Sequence, residues 1–382
     1  MTIPYGKHHV TDEDIQAVVD VLRSTNLTQG PKIHEFEAAF ADYVGARYAV
    51  AVSNGTAALH LSAMSLNIRP GDKVITTPIT FIASANCVRY CGGDVVFADI
   101  DPDTFLLDIK KVRELLESAP SGTYKGIIPV DFAGYPVNLE EYRKLANEYG
   151  LWLIEDACHA PGGYFYDSMG EKQFCGNGRY ADIGVFSFHP VKHITSGEGG
   201  MITTNDEKLY GRLINLRTHG IQQDRKKLIE DHGPWYYEMQ ELGFNYRLSD
   251  IQAALGISQL KRASKNLERR HQVARSYDEA FRSIPTKTSK IGEDIFHGYH
   301  LYVICSDTRD QLFEYLRQSG INVQVHYIPV HYQPYYRNHG WYKRNLPVAE
   351  AFYEQCVSIP MYPSLSSDEQ DYVIKKILEY FN

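Results

Sequence analysis

Short apolar runs alternate along the chain with longer segments that carry apolar residues at helical spacing. The runs at residues 48–52, 73–77, 94–100, 126–132, 151–156, 183–188 and 201–204 predict β-strands. Helical spacing is found at residues 12–24, 33–44, 139–149, 206–218, 251–260 and 263–282. Strands separated by helical stretches of ten or more residues are typical of βαβ units. The pattern therefore predicts an α/β fold with a mainly parallel sheet.

The pattern changes after about residue 297. There the chain reads as a strand at 299–305, a helix at 309–320, a strand at 323–327, a loop rich in tyrosine and histidine, and two terminal helices. We therefore expect a large domain at residues 1–255, which includes the N-terminal helices, and a smaller α+β domain at residues 256–382. A charged segment at residues 222–234 predicts a loop within the large domain.

Composition excludes several classes of protein. The 382 residues are 43% hydrophobic and 23% charged, which is ordinary for a globular protein. A net charge of −8 without a long basic run argues against nucleic acid as a partner. No window approaches ~18 apolar residues and the first ten residues lack the apolar core of a signal peptide, so we expect a cytoplasmic protein that does not enter a membrane. Six irregularly spaced cysteines favour reduced thiols over a disulfide framework.

One lysine and one aspartate mark the candidate chemistry. Lys192 lies between an apolar strand and a glycine-rich turn, and Asp156 ends another apolar strand 36 residues earlier. Pyridoxal phosphate needs an amine that holds its aldehyde and a carboxylate that keeps its ring nitrogen protonated. A lone lysine beside glycines would more simply be a surface residue. The pair of Lys192 and Asp156 favours a pyridoxal-phosphate site.

Two further segments fit the same cofactor. Gly55 and Thr56 stand where a strand turns directly into a helix, and free backbone N–H groups at such a turn bind anions such as phosphate. Phe81 follows another strand at the edge of the sheet where α/β proteins bind ligands, so it could stack on the cofactor ring. Its position alone favours a core phenylalanine. The Asp-x-Asp at residues 99–101 precedes a Pro-Asp turn, which explains it without a metal, and we predict no metal site.

Three motifs carry a resemblance to a known family. They are D-A-x-H-A at residues 156–160, S-F-H-x-x-K at 187–192 and G-E-G-G at 197–200. Together they resemble the DegT/DnrJ/EryC1/StrS family of sugar-nucleotide aminotransferases, and the likeness extends from residue 27 to residue 363. It is closest to the subgroup that aminates C4 in pseudaminic acid biosynthesis. The resemblance implies a fold-type I aminotransferase, with a seven-stranded sheet in the large domain and paired active sites at a homodimer interface.

The resemblance also assigns roles to individual residues. Lys192 would form the Schiff base and then carry the proton, Asp156 would pair with the ring nitrogen, and His159 would contact the ring or orient Asp156. Phe81 would stack on one face of the ring. The implied cofactor-binding set is Gly55, Thr56, Phe81, Asp156, His159, Ser187, Lys192, Asn245 and Arg247. Asn245 would reach the phosphate of the other subunit's cofactor.

The substrates follow from the same resemblance. It implies a UDP-linked 4-keto sugar as acceptor and L-glutamate as donor, which leaves as 2-oxoglutarate. The residues on the sugar side would be Thr28, Gln29, Gly30, His326, Tyr327 and His331. From the sequence alone, residues 28–30 are equally well a plain loop, and the two histidines are equally well polar loop residues. A GDP-linked 4-keto-6-deoxymannose or a dTDP-linked keto sugar is the alternative acceptor.

The residues argue against three rival functions. Dehydratases of the family carry histidine in place of the lysine, whereas Lys192 is present here. A non-catalytic binding or regulatory protein on the same fold would be expected to have lost Lys192 or Asp156. An NAD-dependent oxidoreductase needs a glycine fingerprint between a strand and a helix, and the glycines at residues 176–178 precede a strand instead.

Overall fold

A computed structural model describes residues 2–341 and 345–382 of the chain. Its strands are β1 (Tyr48–Val52), β2 (Lys73–Thr76), β3 (Asp94–Phe97), β4 (Tyr124–Ile128), β5 (Trp152–Asp156), β6 (Tyr164–Tyr166), β7 (Lys172–Phe174), β8 (Ile183–Ser187), β9 (Gly200–Thr204), β10 (Ile221–Gln222), β11 (Glu238–Met239), β12 (Ile295–Phe296), β13 (Tyr302–Cys305) and β14 (Cys356–Ile359). Its helices are α1 (Asp12–Leu22), α2 (Pro31–Val44), α3 (Gly55–Ser65), α4 (Ala83–Tyr90), α5 (Ile109–Glu117), α6 (Leu139–Tyr149), α7 (Glu207–Arg217), α8 (Asp250–Leu260), α9 (Ala263–Ala280), α10 (Arg309–Gln318), α11 (Pro334–Asn338), α12 (Pro347–Gln355) and α13 (Ser367–Phe381).

A seven-stranded sheet forms the centre of the molecule, in the order β1-β9-β8-β5-β4-β2-β3. The neighbours from β8 to β3 are parallel, and β9 is antiparallel to both β8 and β1. The strand interiors are apolar and buried, as expected for a sheet with helices on both faces. The predicted α/β class and mainly parallel sheet are confirmed.

The sheet brings distant parts of the sequence to one edge. Strands β1, β2, β4, β5 and β8 point in the same direction, so their carboxyl ends meet there. Strand β9 runs the other way, and its first residue, Gly200, lies at this edge opposite Val52 and Ser187. The loops that follow Asp156 and Ser187 are therefore neighbours in space, although 31 residues separate the two positions.

A second apolar cluster lies toward the C-terminus. It combines side chains of α9, α10, α13 and the antiparallel pair β13–β14 with Ile3 from the N-terminus. Ile3 N–H donates to Gly320 O at 2.9 Å, and Met361 N–H donates to Tyr5 O at 3.0 Å. The division at residue 255/256 falls inside α8 and stays a prediction.

The predicted strand at residues 323–327 is wrong. Only Gln324 pairs there, through two backbone hydrogen bonds with Ser358 of β14. The chain then leaves the sheet, because His326 and Tyr327 turn into the cavity described below. Among the described residues, no helix has the length and apolar character that crossing a bilayer requires.

A buried ion pair ties three elements together beside the sheet. Arg217 at the end of α7 pairs with Glu37 of α2, and their side chains are 9% and 6% exposed. Arg217 also donates to Ala51 O of β1 at 2.8 Å, while Glu37 accepts from Ala51 N–H at 2.9 Å. Because each charge is compensated by the other and by the backbone, neither is left alone in the core.

We predict that Arg217→Met lowers the free energy of unfolding by about 3–5 kcal/mol, since it leaves the buried Glu37 charge without its arginine. Urea denaturation followed by circular dichroism measures the change. The control is Arg113→Met, which removes an exposed pair with Glu148 and should cost less than about 1 kcal/mol. Equal losses in the two variants would contradict the assigned role of the buried pair.

Candidate active site

A cavity of about 1350 Å³ opens at the sheet edge where the strands end. Nine of the residues predicted for the site line it: Gly55, Thr56, Phe81, Asp156, His159, Ser187, Lys192, His326 and Tyr327. They come from positions 55 to 327, so the fold rather than proximity in sequence assembles the set. The dimensions suit a cofactor together with a substrate.

Lys192 lies in the loop after β8. Its backbone N–H donates to His189 O at 2.9 Å, which makes a tight turn and directs the side chain to the cavity. Its Nζ lies 3.4 Å from Nε2 of His300. Burial lowers the pKa of Lys192 to about 8, against the opposing influence of Cys158 and Asp156. About a tenth of the side chain is therefore the neutral, nucleophilic amine at pH 7, far more than for an exposed lysine.

Asp156 ends β5 on the floor of the cavity and is only 4% exposed. Its Oδ2 accepts from the Ser84 hydroxyl at 2.6 Å, and its Oδ1 accepts from the Cys158 N–H at 3.2 Å. Both donors are neutral groups, so they fix the carboxylate without neutralising it. Its charge is available to a cationic group in the cavity.

His159 is held in one tautomer. Its Nδ1 accepts from the Ala133 N–H at 3.2 Å, so the neutral ring carries its proton on Nε2, which lies 3.1 Å from the Tyr327 hydroxyl. Burial, together with the nearby Lys192, lowers the pKa of His159 well below its usual value. The ring is therefore neutral and presents a flat surface in the cavity wall.

Further histidines surround the lysine. Two of them, His193 and His300, were not identified from the sequence pattern. The ring of His300 lies 4.4 Å from that of His159 and 5.8 Å from that of His193, measured between centroids. Burial lowers the pKa of each, and it lowers the pKa of His326 to about 3. Neutral imidazoles next to Lys192 shield its amine from water without adding charge.

Other missed residues act through contacts that no local pattern reveals. His300 lies 108 residues from Lys192 in the sequence. Ser84 is 72 residues from Asp156, and its one local signal is its place three positions after Phe81 at the start of α4. Phe81 itself lies just before this helix, which begins at Ala83.

The start of α3 forms the anion-binding end of the cavity. Asn54 caps the helix through its side chain, which accepts from the Ala57 N–H at 2.8 Å. The following residues, Gly55 and Thr56, face the cavity with the Ser187 hydroxyl. A Cβ at Gly55 would stand 3.0 Å from the Ser187 side chain, so glycine permits this close approach. A helix N-terminus with two nearby hydroxyl groups suits a phosphate.

Phe81 leaves an apolar ring open to the cavity. The side chain is 56% exposed, and its ring centroid lies 6.4 Å from that of Tyr327. An exposed phenylalanine in a cavity wall offers a stacking surface to a flat ligand. The alternative of a core phenylalanine is excluded by this exposure.

Six predicted site residues do not line the cavity of the single chain: Thr28, Gln29, Gly30, Asn245, Arg247 and His331. The first five lie around the start of α8 and the end of β1. Thr28 bridges to Ser249, and Arg247 bridges to Val52. His331 is fully buried, with its Nε2 3.2 Å from a Glu350 oxygen. Functional roles for these residues stay predictions.

The lining residues fit pyridoxal phosphate on their own chemistry. A poised amine, a carboxylate with free charge and a helix N-terminus face one another across a single cavity. The amine suits the cofactor's aldehyde, the carboxylate its ring nitrogen and the helix N-terminus its phosphate.

The chain is similar in sequence to a known family of enzymes. The model of the DegT/DnrJ/EryC1/StrS aminotransferase family matches residues 8–378.

Named relatives cover nearly the whole chain. It is 37% identical over 381 residues to the UDP-4-amino-4,6-dideoxy-N-acetyl-beta-L-altrosamine transaminase of Campylobacter jejuni, covering 97% of this chain and 95% of that protein. The structure of Helicobacter pylori PseC, an aminotransferase involved in the biosynthesis of pseudoaminic acid, superposes with a TM-score of 0.90 at 31% identity, covering 100% of this chain and 99% of that one.

A further structural neighbour bears directly on the cofactor. The putative sugar aminotransferase Spr1654 of Streptococcus pneumoniae, solved in its PLP form, superposes with a TM-score of 0.87 at 30% identity, over 98% of this chain and 97% of that chain. The family model, these likenesses and the chemistry of the cavity agree. The chain belongs to the DegT/DnrJ/EryC1/StrS aminotransferase family and is a pyridoxal-phosphate-dependent sugar aminotransferase.

Proposed function

We propose that this cytoplasmic enzyme moves the amino group of L-glutamate to the C4 keto carbon of a UDP-linked 2-acetamido-2,6-dideoxy-hexulose. Glutamate leaves as 2-oxoglutarate, and the amino sugar enters a surface glycan of the pseudaminic acid type. The observation that carries the proposal is the cavity in which Lys192, Asp156 and the start of α3 converge. The likeness to a UDP-sugar transaminase and to PseC supports the choice of acceptor.

Lys192 has the central chemical role in this proposal. The bound cofactor supplies an electron sink for the carbon atom that loses its proton. Lys192 would hold the cofactor through its aldehyde, and the lowered pKa favours the neutral, nucleophilic form of the amine that this needs. When not bound to the cofactor, the same amine would take the proton from the amino-bearing carbon of glutamate and would later deliver a proton to the C4 carbon of the sugar.

The remaining cofactor contacts orient the ring. Asp156, fixed by Ser84, would accept a hydrogen bond from the protonated ring nitrogen and so keep that nitrogen cationic. Gly55, Thr56 and Ser187 hold the phosphate at the start of α3. Phe81 stacks on one face of the ring, and His159 contacts the cofactor while its own hydrogen bonds keep it from turning.

The rest of the cavity has the character expected for a nucleotide sugar. His326 and Tyr327 line it near Lys192, where the reacting sugar must lie. Arg69 and Arg212 also line the cavity. Arg212 is paired with Glu241 at 3.2 Å, and the positive charge of Arg69 suits the diphosphate of a nucleotide. The volume of about 1350 Å³ exceeds the size of ordinary small-molecule pockets and suits a large substrate.

A second copy of the chain would complete the site. Residues 28–30, Asn245 and Arg247 lie beside the end of β1 but outside their own cavity. The segment between β10 and β11, which precedes Asn245 and Arg247 in the chain, exposes large apolar side chains, with Ile229 85% and Trp235 75% exposed. Such surfaces mark protein contacts. We assign this face to a homodimer interface, across which Asn245 and Arg247 reach the partner's phosphate and residues 28–30 its sugar.

We predict that the purified enzyme aminates the UDP-linked 4-keto sugar at least tenfold faster than GDP-4-keto-6-deoxymannose or a dTDP-linked keto sugar, with glutamate as donor. Mass spectrometry of the products measures the three rates. A clear preference for the GDP or dTDP sugar would replace the proposed acceptor, although the enzyme would remain a sugar aminotransferase.

The lowered pKa of Lys192 gives a prediction on pH. The rate at which the cofactor-free enzyme captures pyridoxal phosphate should rise about tenfold per pH unit below pH 8 and level off above it, because the neutral amine reacts. Stopped-flow absorbance at the visible band of the lysine-bound cofactor measures the rate. The control variant Lys192→Ala should show no such band. A rate that still climbs steeply from pH 9 to pH 10 would mean that the amine has the pKa of an exposed lysine.

The composite site gives a third prediction, tested with two inactive variants, Lys192→Ala and Asn245→Leu. In a mixed dimer one site carries both lesions and the other carries neither. Random re-association of equal amounts gives about half mixed dimers, so about a quarter of wild-type activity should return. Each parent alone must be nearly inactive. If the isolated mixed dimer is as inactive as its parents, Asn245 serves its own subunit and the placement is wrong.

A further inference from the structure

Two carboxyl groups meet in the core on the face of the sheet that points away from Lys192. Neighbouring side chains on a strand point to opposite faces, so Glu155 points away from the cavity that Asp156 faces. Asp131, in the loop after β4, reaches the same place. The two side chains are 1% and 0% exposed, and their oxygens lie with the Cys175 sulfur in a group no more than 4.8 Å across.

This pair has no cation to balance it. Among the described residues, no lysine, arginine or histidine nitrogen lies within 4 Å of either carboxyl group, whereas the buried Glu37 and Asp14 each meet an arginine. Backbone N–H groups reach one oxygen of each acid: Gly176 donates to Glu155 at 2.8 Å, and Val137 donates to Asp131 at 2.8 Å.

The other Asp131 oxygen, Oδ2, is completely buried and has no hydrogen-bond donor. Two adjacent carboxylates with one backbone donor each and no cation are strongly unfavourable in a dry core. A single proton between the two groups removes both problems, because it neutralises one charge and supplies the missing hydrogen bond to the other acid.

We propose that Asp131 and Glu155 share one proton, as a hydrogen-bonded acid–carboxylate pair, and that this pair positions the loop that supports the histidines beside Lys192. The inference rests on Lys192 as the reacting amine and is independent of which sugar is aminated. Asp131 and Glu155 are positioning residues, because neither touches the cavity.

Asp131 fixes the loop at residues 131–137 in two ways. Its side chain accepts from the Val137 N–H, which closes the loop, and its backbone N–H donates to Asp156 O at 3.1 Å. The carboxyl pair then clamps the loop to β5 from the opposite face. Loss of the pair would release the loop from the strand that carries Asp156.

The loop in turn holds two histidines. The Ala133 N–H is the donor that sets the tautomer of His159. The carbonyl of Ala133 accepts from the Leu301 N–H at 3.1 Å, next to His300. Ala133 makes both contacts at a positive φ of 59°, a conformation that a residue with a side chain rarely adopts and that the closed loop enforces. The shared proton therefore supports the geometry around Lys192 from outside the cavity.

The side chains that face the pair act in different directions. They are those of Asp156, Cys175 and Cys158, and none of them is cationic. Burial raises the pKa of both carboxyl groups. The charge of Asp156 also raises the pKa of Asp131, whereas the hydrogen bond from the Cys175 thiol lowers the pKa of both acids. Burial also raises the pKa of the Cys175 thiol, so it stays protonated and is a poor metal ligand.

Infrared spectroscopy of the holoenzyme tests for the proton itself. The wild type should show the C=O band of a buried protonated carboxylic acid, which shifts in heavy water. Asp131→Asn replaces the shared proton by an amide N–H and should abolish the band. The matched control is Asp99→Asn, at a buried carboxylate that accepts three backbone N–H bonds, and it should leave the band unchanged.

The pH dependence of unfolding gives an independent readout. The pKa of the Asp131–Glu155 pair is higher in the folded protein than in the unfolded chain. The stability that the shared proton contributes is therefore complete at pH values below the unfolded-state pKa. It is lost as the pH rises through the folded-state pKa. Between these two pKa values, the unfolding equilibrium constant of the wild type should rise about tenfold more per pH unit than that of Asp131→Asn.

The affinity for pyridoxal phosphate tests the positioning role. Asp131→Ala should bind pyridoxal phosphate at least tenfold more weakly than Asp131→Asn, because only Asn can keep the bonds to Val137 and Glu155.

Several results would contradict the proposal. Absence of the acid band from the wild type, or its persistence in Asp131→Asn, would overturn the shared proton. Elemental analysis that finds one divalent metal ion per chain in the holoenzyme, lost in Asp131→Asn, would assign a metal to the pair instead. Equal cofactor affinity in Asp131→Ala and Asp131→Asn would overturn the positioning role.

Discussion

The burial of one lysine amine is the condition on which the active site depends. An exposed lysine is almost fully protonated near neutral pH and is then no nucleophile. Transfer of Lys192 out of water lowers its pKa to about 8, while Asp156 and Cys158 act in the opposite direction and limit the shift. The surrounding histidines remain neutral, so they contribute burial without repulsion. The amine can therefore both attack a carbonyl and carry a proton.

The fold meets this condition through the sheet edge. Because β5 and β8 are parallel neighbours, Asp156 and the loop that bears Lys192 emerge side by side. Strand β9 returns at Gly200 beside the end of β1, which brings the N-terminus of α3 to the same cavity. Segments from the C-terminal part of the chain, around His300 and His326, then close over the lysine. No single element of the molecule holds the site.

The sequence predicts those features that a local pattern can carry. Lys192, Asp156 and the Gly55 turn each stand at the end of an apolar strand, and in a parallel sheet such ends meet. Contacts between distant segments leave no such trace, which is why Ser84, His300 and the Asp131–Glu155 pair were not foreseen. The strand expected at residues 323–327 failed for a related reason. The apolar side chains of this segment lie in the core or line the cavity, and its backbone does not form the hydrogen-bond ladder of a strand.

Reduction with borohydride tests the central claim most directly, because it makes the bond between the cofactor and its lysine permanent. The enzyme loaded with pyridoxal phosphate is reduced, digested and mapped by mass spectrometry. The account predicts one cofactor-derived adduct per chain, on the peptide that contains Lys192. An adduct on a different lysine, or no adduct in an enzyme that still aminates its substrate, would contradict the account.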